Sequence, residues 1–209
     1  MEKSSSVKMF DNPVLELLSK SNPPLIICFH MLLAGTILFI GLGKSNFDLN
    51  EFMVVGFFMF GLLIWTLTEY LMHRFLFHLE GENKLIKAFH YALHGHHHKN
   101  PTDQNHMFMP PAPAFIFITL FFGLFYLFMG DFAYFFLPGF EIGYLIYSLV
   151  HFSVHNPNAS KGPLKKLWLH HAKHHYQSPE KAFGVSSTMW DFLFNTLPED
   201  EKSTQEITS

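Results

Sequence analysis

Four long apolar stretches run through this 209-residue chain, and any fold it adopts must shield them from water. They cover about residues 25–43 ("LIICFHMLLAGTILFIGLG"), 52–72 ("FMVVGFFMFGLLIWTLTEYLM"), 113–130 ("PAFIFITLFFGLFYLFMG") and 132–152 ("FAYFFLPGFEIGYLIYSLVHF"). A helix needs about 20 apolar residues to cross a bilayer's hydrocarbon core, and the first two stretches meet that length. The third and fourth are separated only by Gly130-Asp131, which predicts a tight helical hairpin. Pro138-Gly139 leaves the exact start of the fourth helix open. Charged residues make up 15% of the chain, against about 25% in an average soluble domain. The expected fold is therefore all-α: an integral membrane four-helix transmembrane bundle.

Four crossings put the N-terminus, the segment 73–112 and the segment 153–209 on one side. Of the 14 Lys and Arg, only Lys44 falls in the short loops of the other side. Excess basic charge marks the cytoplasmic side of a membrane protein, so the large segments are expected to form a cytosolic helical cap. The boundaries that follow are 1–24 for an N-terminal interfacial segment, 25–198 for the membrane-embedded domain with its cap, and 199–209 for a disordered polar tail. Within the first, Phe10, Val14, Leu17 and Leu18 have the near-helical spacing of a short helix lying on the membrane. The formal charge of −3 argues against a nucleic-acid binder, and a single cysteine, Cys28, excludes a disulfide framework and all-thiolate zinc sites. No secretory signal is visible at the N-terminus.

The cap carries the chemistry. All but His30 of the 15 histidines lie between His73 and His175. The main ones fall into four groups: His73 and His78; His94, His97 and His98; His151 and His155; His171, His174 and His175. Neutral imidazole is the commonest side-chain metal ligand. Residues i, i+3 and i+4 share a helix face, so each triplet reads as a three-pronged claw and His151/His155 as a pair at the end of the fourth span. His73 and His78 lie about 140° apart on a regular helix, which predicts either a helix end between them or service to different ions. Ten ligands suit two metals, each held by four or five imidazoles. His96 and His170 fall off the shared faces, in solvent or supporting positions. His90 is placed to orient His94, and Asp103 reads as an exposed turn acid or as a partner for a ligand imidazole. His30 reads as structural, Glu141 as lying near the far interface, and Trp190 as packing under the cap.

All-imidazole sites suit zinc, copper, iron and nickel. A two-metal site facing lipid points to oxidation of an acyl chain, which requires a redox-active metal rather than zinc. The segments "EYLMHRFLFH" (69–78), "HYALHGHHHKNPTD" (90–103), "MPP" (109–111) and "FGVSSTMWDFLFNT" (183–196) resemble the fatty acid 2-hydroxylases, within the fatty acid hydroxylase / sterol desaturase superfamily. The likeness runs from about residue 10 to 198. It implies hydroxylation of C2 of a long-chain fatty acid, or of the acyl chain of a ceramide or other sphingolipid, by O2 with electrons from NADPH through cytochrome b5. It implies that His73, His78, His94, His97, His98, His151, His155, His171, His174 and His175 are the metal ligands. It also implies two ions, with iron working and zinc found in purified members. Many members carry an N-terminal cytochrome b5 domain with a His-Pro-Gly-Gly motif. That motif is absent here, so a separate electron donor is expected. Asn156 stands where some relatives have a histidine and reads as a supporting amide. The expected location is the endoplasmic reticulum in a eukaryote or the inner membrane in a bacterium. A desaturase, a sterol or carotenoid hydroxylase, and a membrane metal-binding or transport protein are the alternatives. The last would require ionisable groups at mid-membrane in several spans.

Overall fold

A computed structural model describes residues 7–44, 50–79 and 81–199. The expected disordered tail falls almost wholly, and most of the loop after Lys44 falls, outside the described residues. Those described are helical and contain no strand. In chain order the helices are α1 (Pro13–Ser19), α2 (Pro23–Gly43), α3 (Glu51–Leu71), α4 (Lys84–His90), α5 (His96–Lys99), α6 (Pro111–Met129), α7 (Ala133–Val154), α8 (Lys165–Tyr176) and α9 (Met189–Leu193). Two wider π-helical turns, Met72–Phe77 and Tyr91–Gly95, extend α3 and join α4 to α5. The chain forms two units, one from 8–66 and 104–148, the other from Leu67–Asp103 and 149 onward.

The first unit is the apolar one. Three helical segments are long and apolar enough to cross a membrane: Pro23–Gly43, Glu51–Phe77 and Pro111–Val154. The third folds back at Gly130, whose φ of +57° a side chain would resist. Phe125 meets Phe136 at 4.6 Å between ring centroids and Phe121 meets Phe140 at 5.0 Å. Partner numbers rise on α7 as they fall on α6, so the two helices run antiparallel as the Gly-Asp connector predicts. α7 continues through Pro138. The ring sits in the second turn, where it removes one hydrogen bond near a helix start rather than breaking a ladder in progress.

Small residues bring α3 and α7 into backbone contact. A Cβ on Gly61 would lie 2.0 Å from the Phe136 carbonyl oxygen, and one on Gly139 would lie 1.9 Å from that of Phe58. Close approach of this kind is how helices gain packing energy in lipid. Trp65, Ala114, Ile118, Phe136, Leu137 and Phe140 form the buried centre of this unit. Beside it lies a polar pair: His30 Nδ1 on α2 is 2.7 Å from Glu141 Oε2 on α7, both buried. Glu141 is thus inside the helix packing, paired with His30. α1 starts at Asn12, whose side chain caps Val14 and Leu15 N–H. It turns Glu16 inward to accept from Met9 and Phe10 N–H, and leaves Val14, Leu15, Leu17 and Leu18 exposed.

Candidate metal centre

The second unit gathers the histidines. The structure brings all ten predicted rings together in two groups of five. His73, His78, His94, His98 and His174 form one group; His97, His151, His155, His171 and His175 form the other. Within each group the ligand atoms lie within 4.8 Å of one another. In the first, Nε2 of His73 is 3.0 Å from Nε2 of His94, and Nε2 of His174 is 3.0 and 3.2 Å from those of His78 and His98. In the second, Nε2 of His171 is 3.1, 2.9 and 3.0 Å from those of His151, His155 and His175, and His97 reaches His175 at 3.1 Å.

The local backbone explains two departures from the expected pattern. His73 and His78 share one group although a regular helix would splay them. The turn between them is π-helical, and its i→i+5 repeat stacks residues five apart. The helix ends at Phe77, between the two, with His78 as its C-cap, and both rings fall in the same group. The triplets, in turn, are not claws on single ions. His94 and His98 point into the first group while His97 points into the second; His171 and His175 point into the second while His174 points into the first. Residues i+3 and i+4 differ by about 100° around a helix axis, so each triplet straddles both groups and ties them together.

The rings are set in one tautomer where the structure shows a partner. His73 Nδ1 donates to the Phe183 carbonyl, and His174 Nδ1 donates to that of Lys181 at 2.8 Å. A carbonyl can only accept, so each Nε2 carries a lone pair. The His174 lone pair faces the Nε2 atoms of His78 and His98. Lone pairs gathered on one point repel unless a cation lies among them, and this donor set fits a metal ion. Burial reinforces the neutral form. It drives His94, His97 and His171 well below the ordinary imidazole range, with neighbouring imidazoles adding to the effect. His78, His98, His155 and His174 are pushed down to about 4, chiefly by burial.

Two carboxylates that the motif reading left without a role hold the segment 181–186 against these rings. Glu69, near the end of α3, accepts from the backbone N–H of Val185 and Ser186, both at 2.8 Å, and from the Ser186 hydroxyl. Asp191, fully buried on α9, accepts from Phe183 N–H at 2.9 Å, Gly184 N–H at 2.7 Å and the Thr196 hydroxyl at 2.7 Å. Between the two carbonyls that meet His73 and His174, Ala182 has φ +57°. A left-handed residue there turns Lys181 and Phe183 carbonyls toward the imidazoles, a strained backbone of the kind that clusters at functional sites. The sequence signal was available: an acid inside an apolar helix (Glu69), and an acid within a run otherwise free of charge (Asp191).

The remaining histidines find other partners. His96 is buried, with Nε2 3.1 Å from Asp103 Oδ2 and Nδ1 3.1 Å from the Tyr91 hydroxyl. His170 is buried, with Nε2 3.1 Å from Asp191 Oδ2. Neither faces solvent. Asp103 is a buried partner of His96, not an exposed turn acid. His90 lies beside Gly95, outside both groups. His106 is 3.4 Å from Glu16. Asn156 caps the turn after α7 by accepting from Asn158 N–H, which is a turn-forming role rather than support for an imidazole. Trp190 stacks on Phe194 at 6.1 Å.

Membrane-capable helices together with paired imidazole groups define a membrane-associated protein of the histidine-rich helical class. The chain belongs to the fatty acid hydroxylase family, whose model matches residues 58–196. It is 36% identical over 155 residues to the fatty acid 2-hydroxylase of Rattus norvegicus, covering 72% of this chain and 42% of that protein. It is 38% identical to the dihydroceramide fatty acyl 2-hydroxylase FAH2 of Arabidopsis thaliana, covering 66% and 59% of the two chains. It is 37% identical to the ceramide very long chain fatty acid hydroxylase scs7 of Schizosaccharomyces pombe, covering 69% and 43%. The chain thus spans less than half the length of the rat and fission yeast relatives. A solved structure described as full-length scs7p, with only the hydroxylase domain visible, superposes with a TM-score of 0.79 at 31% identity, covering 90% of this chain and 71% of that one.

Proposed function

We propose that this protein is a membrane-bound two-metal monooxygenase that hydroxylates C2 of a long-chain fatty acyl group, either a free fatty acid or the acyl chain of a ceramide-type lipid. The observation that carries the reading is the pair of five-imidazole groups, each with its ligand atoms inside 4.8 Å. His73, His78, His94, His98 and His174 would hold one ion, and His97, His151, His155, His171 and His175 the other. Iron is the expected metal, with zinc admissible in purified protein because imidazole serves both. When bound, a redox-active pair supplies the oxidising power for R–H + O2 + 2e− + 2H+ → R–OH + H2O.

The chain's own residues prepare that chemistry. The eight imidazoles outside the membrane-capable segments stay neutral and present lone pairs because burial disfavours their protonation. Lys181 and Phe183 carbonyls orient His174 and His73 by taking their Nδ1 protons, and Glu69 and Asp191 keep those carbonyls in place. The electrons come from a separate donor, cytochrome b5 or another carrier reduced by NADPH. The four-span bundle with its site in a cytosolic cap is supported by the α6–α7 hairpin and by the distribution of Lys and Arg. The membrane is the endoplasmic reticulum in a eukaryote or the inner membrane in a bacterium. The outward leucines and inward Glu16 of α1 support its interfacial position.

Lipid analysis of a host expressing the chain tests the reading. New 2-hydroxy acyl species are the expected result. An unchanged acyl profile with a modified sterol or carotenoid, or with a new double bond, moves the assignment to a related hydroxylase or a desaturase. Purified protein without an added donor should turn over little, and sustained NADPH-driven activity would contradict a separate donor.

A further inference from the structure

The geometry points to α9 and the residues flanking it as a lipid-contacting element, seated at the boundary between acyl chains and headgroups. This rests on the membrane-capable helix Glu51–Phe77 and is independent of the imidazole groups and their metals. α9 is amphipathic in the reverse of the soluble sense. Its one charged residue, Asp191, is fully buried, while Met189, Phe192, Leu193 and the following Phe194 are exposed by 42–60%. Asp191 is also the only Asp, Glu, Lys or Arg between residues 182 and 198. An element that exposes four large apolar side chains and turns its only charge inward has no surface suited to water.

The depth of this element follows from α3. Counting about 20 residues of hydrocarbon-spanning helix from Phe52 ends near Leu71. Tyr70, one residue before that end, stacks on Phe194 with centroids 5.3 Å apart and ring planes 16° from parallel. Its hydroxyl lies 3.0 Å from the Thr196 hydroxyl and accepts from Arg74 Nη1 at 2.8 Å. Tyr70 is itself buried, and it is the arginine one turn beyond it, at the end of an apolar helix, that marks the membrane–water interface, where basic side chains settle. The stack therefore fixes Phe194, and with it α9, at that level. Lipid is the occupant that matches an uncharged apolar face at that depth. A second copy of the chain or a donor protein would instead shield the face from lipid.

Site-directed spin labelling of the full chain in phosphatidylcholine/phosphatidylglycerol bilayers tests this. Cys28, the only cysteine, is replaced (C28S), and nitroxides are placed singly at F192C and L193C, with K166C as a water-facing reference on α8. Both α9 positions are exposed, so labelling need not disturb packing, and either one alone decides. At 192 and 193, oxygen should relax the label more than a water-soluble nickel chelate does, with the order reversed at 166. A nickel-accessible label at 192 and 193 matching that at 166 overturns the proposal, because the face then meets water. A label shielded from both agents overturns it too, because protein then covers the face.

Discussion

Glu69 allows the sharpest test of how the site is held. Its carboxylate accepts from Val185 N–H, Ser186 N–H and the Ser186 hydroxyl, and it is 4% exposed. Glu69→Ala leaves these donors without their acceptor. A buried donor left without its acceptor costs about 1–3 kcal/mol, with partial repair by water, so over three donors a loss of about 4 kcal/mol is expected. For a chain of this size each kcal/mol moves Tm by about 2–4 °C, which gives a fall of about 8–16 °C. Glu69→Gln keeps one carbonyl oxygen for the two backbone donors and should lose less than half as much. The second readout is metal. Segment 181–186 carries the carbonyls that orient His73 and His174, and losing such a partner typically weakens metal binding about 10–100-fold. Elemental analysis after dialysis against a weak chelator should show the first group depleted before the second. Unfolding of Glu69→Ala within about 2 °C of the parent, with both ions retained, would refute the reasoning.

The split of each triplet makes its own prediction: His94→Ala and His97→Ala, three residues apart, should deplete different sites, leaving about one ion per chain in each variant as read by elemental analysis, whereas loss of both ions in both variants would argue for a single coupled centre. The metal-free protein should become less stable as pH falls. His155 and His174 titrate near 4 when folded and near 6.5 when unfolded, so the unfolded chain binds more protons between those values. Stability is complete above about 6.5 and drops by about 1.4 kcal/mol per pH unit per ring toward pH 4, with smaller contributions from the more exposed His78 and His98 because solvent screens them. A Tm in chelator that stays flat between pH 7 and pH 5 contradicts this. Gly139→Ala should cost about 1–3 kcal/mol, since its Cβ would lie 1.9 Å from a backbone oxygen that cannot rotate away, and an unchanged Tm would show that α3 and α7 do not pack as described.

Much of the architecture was legible because hydrophobicity and residue type act locally. The long apolar runs, the hairpin at Gly130-Asp131 and the ten-histidine set can be read residue by residue, and the structure places helices, the turn and the gathered rings at those positions. What was not legible depended on which partners the fold brings together. Helical phase left His96 and His170 in solvent or supporting positions, and Asp103 and Asp191 draw both inward. The partner of Glu141, His30, lies 111 positions away and could not be read from spacing. The regular 3.6-residue period did not show that the wider turn at Met72–Phe77 would stack His73 and His78 into one group.

By itself, the sequence indicated that the chain is helical, that four apolar stretches suit a membrane, and that ten histidines fall in spaced groups, because each depends on side-chain character at short spacing. Only the tertiary structure decided which imidazole joins which group, since that turns on about 100° of rotation about a helix axis and on two π-helical turns. It also decided that Glu69 and Asp191 hold the strand of backbone that orients the rings. The Glu69 bonds join segments more than a hundred residues apart and the Asp191 bonds close a non-repeating turn, so neither leaves a periodic trace along the chain.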